Sequence, residues 1–113
     1  MRVIKTPDGI YRLSVTVEAG RNGLKPCADI TYESIDLLDY DEIICVVMTG
    51  MGADGSKGIM QLNKKHNIYV IAQDEESCTV YGMPKMIAET GLVNEVCTLD
   101  DIAAAIEKHV GVR

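Results

Sequence analysis

Residues 41–58 read DEIICVVMTGMGADGSKG, and this stretch decides the fold. Its first part, 41–48, is charged at the start and continuously apolar afterwards, which is the pattern of a strand covered on both faces of a parallel sheet. Residues 49–58 make a glycine-rich turn, 57–65 a short helix, and 67–72 (NIYVIA) a second buried strand. Residues 41–72 therefore form one βαβ unit, in which a right-handed crossover makes the two strands parallel.

Working outward, Gln73-Asp74-Glu75-Glu76 opens a loop that runs to Tyr81-Gly82, and the three adjacent acids read as a solvated segment. Pro84 suits the first position of a helix continuing through 85–89, and Gly91 suits its stop. A short strand at 95–98 leads to a last helix at 99–109, where Asp100 and Asp101 complement the amino end and Lys108 the carboxyl end. Towards the amino terminus, 1–5 and 11–17 alternate apolar and polar residues around Pro7-Asp8-Gly9, an antiparallel hairpin. A polar loop at 18–25 and Pro26 precede a helix at 28–38 with Ile30, Ile35 and Leu38 on one face. The chain is α/β, with a mainly parallel sheet and an amino-terminal hairpin.

With 113 residues, 12.3 kDa, 47% hydrophobic and 25% charged, the chain fits one small domain, too small to build a deep two-walled cleft alone. A net charge of −6, a pI near 4.8 and no basic run longer than Lys64-Lys65 make nucleic acid a poor partner. Every apolar run is far short of the roughly 20 residues of a membrane span, and the first residues lack the apolar core of a signal peptide, so no membrane insertion is expected. Cys27, Cys45, Cys78 and Cys97 form no CxxC pair, and three lie in or beside apolar runs, which reads as free thiols in a reducing, cytoplasmic compartment. No His/Cys/Asp group has metal-ligand spacing, and no metal is expected.

Gly50-Met51-Gly52-Ala53-Asp54-Gly55 satisfies G-x-G-x-x-G between a strand and a helix, with Asp74 about 20 residues on, the arrangement of a dinucleotide site. Against it, Asp54 places a carboxylate where a pyrophosphate would sit, so two anions would compete for the same backbone donors. The plainer reading makes Asp54 the N-cap of its own helix. Ser56 reads as an exposed first-turn residue, and His66 and His109 as surface residues placed by turn and dipole preferences.

The segments Val46-Val47-Met48-Thr49-Gly50-Met51-Gly52-Ala53-Asp54-Gly55-Ser56-Lys57-Gly58 and Ile71-Ala72-Gln73-Asp74-Glu75-Glu76-Ser77-Cys78-Thr79-Val80-Tyr81-Gly82-Met83-Pro84 resemble the chemotaxis methylesterase family, CheB. That family carries a T-G-M-G-x-D-G turn and an A-Q-[DN]-E-x-S-x-x-[VF]-[YF]-G-M-P segment at this separation. Leu24-Lys25-Pro26-Cys27-Ala28-Asp29 is similar, more weakly, to its H-R-P-S-x-D segment, with Leu24 for the His and Cys27 for the Ser.

The resemblance implies a three-layer α/β/α fold and hydrolysis of methyl esters on receptor glutamates, with glutamine deamidation as a related activity, through a Ser-His-Asp triad. It makes Asp54 the triad aspartate and the Met51 backbone amide part of the oxyanion hole. Tyr81 and Met83 line a substrate groove or belong to the core, and their residue types leave both open. The family's G-x-S-[TA]-G-G and Q-H-M segments, which hold the serine and histidine, match nothing in the chain. Residues 1–113 therefore read as the second half of a catalytic domain, without activity alone and needing no cofactor. Its partner would be a methyl-accepting chemotaxis receptor, and a sheet edge left uncovered would favour a homo-oligomer. A small dinucleotide-binding unit using Gly50, Gly52 and Gly55, or a non-catalytic interaction module, stand as the alternatives.

Overall fold

The computed structural model describes residues 1–21, 23, 24 and 26–111. Strands β1 (Arg2–Lys5) and β2 (Tyr11–Ser14) pair antiparallel, with Arg2 opposite Ser14 and Lys5 opposite Tyr11. After helix α1 (Ala28–Ile35) come β3 (Ile43–Val47), α2 (Ser56–Asn63) and β4 (Ile68–Gln73). Helix α3 (Gly82–Glu89), strand β5 (Glu95–Cys97), a 3₁₀ turn (Leu99–Asp101) and helix α4 (Ile102–Val110) complete the chain. The main sheet is parallel throughout in the order β3-β4-β5, from Ile43 opposite Ile68 to Val47 opposite Ala72, and then Ile71 opposite Glu95.

Side-chain alternation divides the core between the two faces of this sheet. Ile43, Cys45 and Val47 of β3, with Val70 and Ala72 of β4, pack against Ile59 and Leu62 of α2 and Ile87 of α3, and Tyr32 and Ile35 of α1 close the edge of that cluster. Ile71 and Cys97 turn the other way, onto Ile102 and Ala105 of α4. Three helices thus cover one face and one helix the other, a three-layer arrangement with apolar runs in β3 and β4. Among the described residues no helix is long and apolar enough to cross a membrane.

The elements fall where the sequence predicts them, with ends that differ for local reasons. Helix α1 stops at Ile35, short of the predicted 38, because the chain tightens into a turn in which the Leu38 amide donates to the Ile35 carbonyl. Helix α3 begins at Gly82, ahead of Pro84, since a proline within the first turn lacks only an amide that has no intrahelical partner there. The last helix opens as a 3₁₀ turn containing Asp100 and Asp101. Lys25, part of the H-R-P-S-x-D match, lies outside the described residues.

Two glycines set how closely the elements approach. A Cβ on Gly58 would lie 2.6 Å from the Tyr32 Cβ, so α2 meets α1 backbone to side chain. A Cβ on Gly82 would lie 3.0 Å from the Gly50 oxygen and 3.1 Å from the Gly52 nitrogen, so α3 begins directly against the 50–52 turn. Alanine normally improves a helix interior by about 1 kcal/mol over glycine. At Gly58 the clash outweighs this, and Gly58→Ala is expected to lower unfolding stability by about 1–3 kcal/mol in urea titration.

Candidate functional site

Ligands of parallel α/β sheets bind beyond the carboxyl ends of the strands, and the 49–55 turn occupies that end of β3. Neighbouring segments stitch the turn in place. The Gly50 amide donates to the Val80 carbonyl (2.9 Å), the Met83 amide to the Gly50 carbonyl (2.8 Å), and the Thr49 amide to Oε1 of Gln73 (2.8 Å). Gln73 is 1% exposed, and its Nε2 donates to the Ser77 carbonyl, so this buried amide uses both its ends to join the turn to the 73–77 loop.

On that turn the Met51 side chain is 86% exposed, and among the described residues nothing accepts a hydrogen bond from its amide. Asp54 follows, with its carboxylate directed at the amino end of α1 and not at its own helix. Oδ2 accepts from the Ala28 amide (2.8 Å), and Oδ1 accepts from the Asp29 amide (3.1 Å) and the Cys27 thiol (3.3 Å). This corrects the N-cap reading: the N-cap of α2 is Gly55, at φ 95°, and its first amides bond elsewhere. Their acceptor is Asp29, 5% exposed, whose Oδ1 takes the Gly55 amide (3.1 Å) and the Gly58 amide (2.8 Å).

Burial opposes the charge on Asp54, but the amide bonds from Ala28 and Asp29, with the Cys27 thiol, outweigh it and hold the carboxyl below its ordinary value. The Cys27 thiol is pushed up, first by burial and then by its bond to Asp54, so it sits there protonated as a donor. Asp54 faces two open clefts. One, of about 520 Å³, is bordered by Met51, Ser56, Lys57, Met60 and Met86, and the other, of about 500 Å³, by Met1, Cys27, Thr31 and Tyr32.

The remaining candidates lie apart from Asp54 or are used locally. Asp74 accepts from the amide and hydroxyl of Ser77, and Asp29 holds the amides that a pyrophosphate would need at α2, so the groups of the dinucleotide reading are engaged within the protein. Met83 packs against the larger core cluster, where a Cβ on Gly50 would fall on its sulfur, and Tyr81 is half-buried; neither borders the clefts beside Asp54. Ser56, expected to be exposed, is 6% exposed because α1 and the turn enclose the first residue of α2. His66 is also not a surface residue: its Nε2 lies 3.1 Å from the Asp36 carbonyl where α1 ends. His109 stacks on Tyr69 and bonds Glu42 (2.6 Å), well away from the turn. Sequence spacing missed one grouping, Cys27, Asp29 and Asp54, whose ligating atoms lie within 4.8 Å of one another. Both carboxylates there already accept backbone N–H groups, so the grouping acts as a pair of helix caps.

Residues 2–106 match the family described as CheB methylesterase. A protein-glutamate methylesterase/protein-glutamine glutaminase of Desulfotalea psychrophila is 41% identical over 107 residues, covering 94% of this chain and 29% of the relative. A protein of the same name from Halalkalibacterium halodurans is 45% identical over 97 residues, covering 86% of this chain and 28% of the relative. The crystal structure of the Thermotoga maritima CheB methylesterase catalytic domain superposes with a TM-score of 0.84 at 29% identity, over 95% of this chain and 57% of that one. The chain thus spans under a third of these curated relatives and somewhat over half of the solved domain.

The hydrogen bonds to Asp54 predict a pH dependence. A carboxyl whose folded-state value lies below 3.8 stabilises the fold above that pH, and the contribution is lost as pH falls through the folded value. Asp54→Asn is therefore expected to melt below the unsubstituted chain at about pH 6, with the difference closing in acid below 3.8. Thermal melts across that range read it directly.

Proposed function

The chain belongs to the CheB methylesterase family, and from that premise we propose that it supplies the aspartate and one oxyanion donor of a protein-glutamate methylesterase site. The observation that carries this reading is Asp54, a depressed carboxylate fixed by backbone amides beyond the carboxyl end of the parallel strand β3 and still bordering two open clefts. Such a group can accept an imidazole N–H, keep the ring in one tautomer and stabilise the imidazolium formed when a serine attacks an ester carbonyl. The Met51 amide on the same turn is free to bond the oxyanion of the tetrahedral intermediate, an interaction worth about 3 kcal/mol where one donor has been removed. Loss of methanol then leaves an acyl-enzyme, and water attacking its carbonyl releases the glutamate.

The relatives are named for action on protein glutamate and glutamine, so the substrate class is the methyl ester, or the side-chain amide, of a folded polypeptide. We assign the chain to bacterial chemotaxis signalling in the cytoplasm, acting on a methyl-accepting receptor. The serine and histidine come from sequence matching none of these 113 residues, so the chain is the later part of a catalytic domain and is without esterase activity alone. The outer edge of β3 has no partner strand among the described residues, and in the isolated chain a second copy covers it.

The test is a chimera in which this chain replaces the matching segment of the Desulfotalea relative. It is expected to release methanol from methylated receptor, and Asp54→Asn within it to lower turnover by about 10⁴-fold, the scale for a triad aspartate that no longer sets the histidine tautomer. An active chimera indifferent to Asp54→Asn would end the assignment, as would methanol release by the isolated chain. Light scattering on the isolated chain should give twice its 12.3 kDa mass, and a monomer at hundreds of micromolar would remove the edge pairing.

A further inference from the structure

Two helices begin side by side here, and each is capped by a carboxylate from the other's segment: Asp54, just before α2, takes the first amides of α1, and Asp29, in the first turn of α1, takes the first amides of α2. Asp29 belongs to both halves of this exchange, since its own amide donates to Asp54 Oδ1 (3.1 Å) while its Oδ1 accepts from Gly55 (3.1 Å), the residue following Asp54. A closed ring of hydrogen bonds thus connects positions 29, 54 and 55. An ionised carboxylate offers about four lone-pair directions, two on each oxygen. Oδ1 spends both of its directions, on the Asp29 amide and the Cys27 thiol, and Oδ2 spends one, on the Ala28 amide. A single acceptor direction remains, on Oδ2.

We propose that Asp29 is a positioning residue for Asp54: by clamping Gly55 and Gly58 it holds the turn so that the last acceptor direction of Oδ2 is left for the imidazole N–H of the triad. This rests on the reading of Asp54 as the triad aspartate. Asp29 touches no reacting atom and acts through the backbone beside Asp54. Asp29 is 5% exposed, and a Cβ on Gly58 would lie 3.2 Å from its Oδ1. The titratable groups facing Asp54 are Asp29, Cys27 and Tyr32, all from α1 and its cap, with Lys57 along the neighbouring cleft.

Asp29 also carries a like charge, which by itself would raise the Asp54 titration, and two variants separate charge from position. Asp29→Asn keeps an acceptor oxygen in place and removes the charge, whereas Asp29→Glu keeps the charge and displaces the oxygens. In the 113-residue chain, carbon-13 NMR of the carboxyl groups and amide hydrogen exchange are followed in each. With Asp29→Glu the Asp54 midpoint is expected to rise towards 3.8, and the amides of residues 28 and 29 to exchange about tenfold faster, while Val70 and Ile71 in β4 keep their protection. With Asp29→Asn the midpoint is expected to fall and exchange at 28 and 29 to stay within about threefold. A folded Asp29→Glu that leaves both readings unchanged overturns the proposal, and so does an Asp29→Asn that loosens 28 and 29 as much. If Asp29→Glu does not fold, the Asn variant decides by itself: loosened amides at 28 and 29 overturn the proposal, and retained protection with a lowered midpoint supports it. None of these measurements needs turnover, so an indifferent Asp54 in the chimera would remove the catalytic assignment and leave the role of Asp29 to be read separately.

Discussion

The exchange of carboxylates between the starts of α1 and α2 is the constraint on which the site depends. Each helix begins with amides that have no intrahelical acceptor, and both beginnings lie at one place on the same face of the sheet. Had each helix capped itself, the caps would not join the two helix starts. Because Asp54 serves α1 and Asp29 serves α2, satisfying the backbone and joining the helices become one event. Gly58 permits it by letting Tyr32 lie where a side chain would otherwise stand, and Gly55, at φ 95°, turns the chain between Asp54 and the helix.

The rest of the turn is held by a different polar device. Gln73 ends β4 on the face opposite the larger core cluster, and its amide reaches the neighbouring Thr49 backbone and the Ser77 loop together. Threonine 49 in turn exchanges two bonds with Val80, and Gly82 begins α3 against the 50–52 backbone. The Met51 amide is thereby presented on a surface braced from three directions while remaining unpaired. Preorganisation of this kind is what a donor to a developing oxyanion requires, since a donor that must first be oriented returns less to the transition state.

Burial of polar groups follows the same logic. Asp29, Ser56 and Gln73 are all nearly inaccessible, and Asp29 Oδ1 and Gln73 Oε1 each accept from backbone N–H groups. Burial raises the thiols of Cys45 and Cys97 to about 11, keeping them neutral as small apolar fillers of the two core clusters.

Element order, the parallel βαβ unit and the importance of the 50–55 turn were legible in the sequence, because continuous apolar strands and a glycine-rich turn are local patterns and a parallel pair needs a crossover. The motifs brought out Asp54 and Met51 by their place in a turn. What the sequence could not show was the partner of either carboxylate: Asp29 and Asp54 are far apart along the chain, and a local rule assigns an aspartate to the nearest helix start, its own. The same limit hid the burial of Ser56 and the seat of His66 against Asp36, since both arise from a second helix arriving from elsewhere. Periodicity and turn chemistry are short-range and can be read from the chain, whereas the direction of a carboxylate is decided by amides that only tertiary packing brings within about 3 Å.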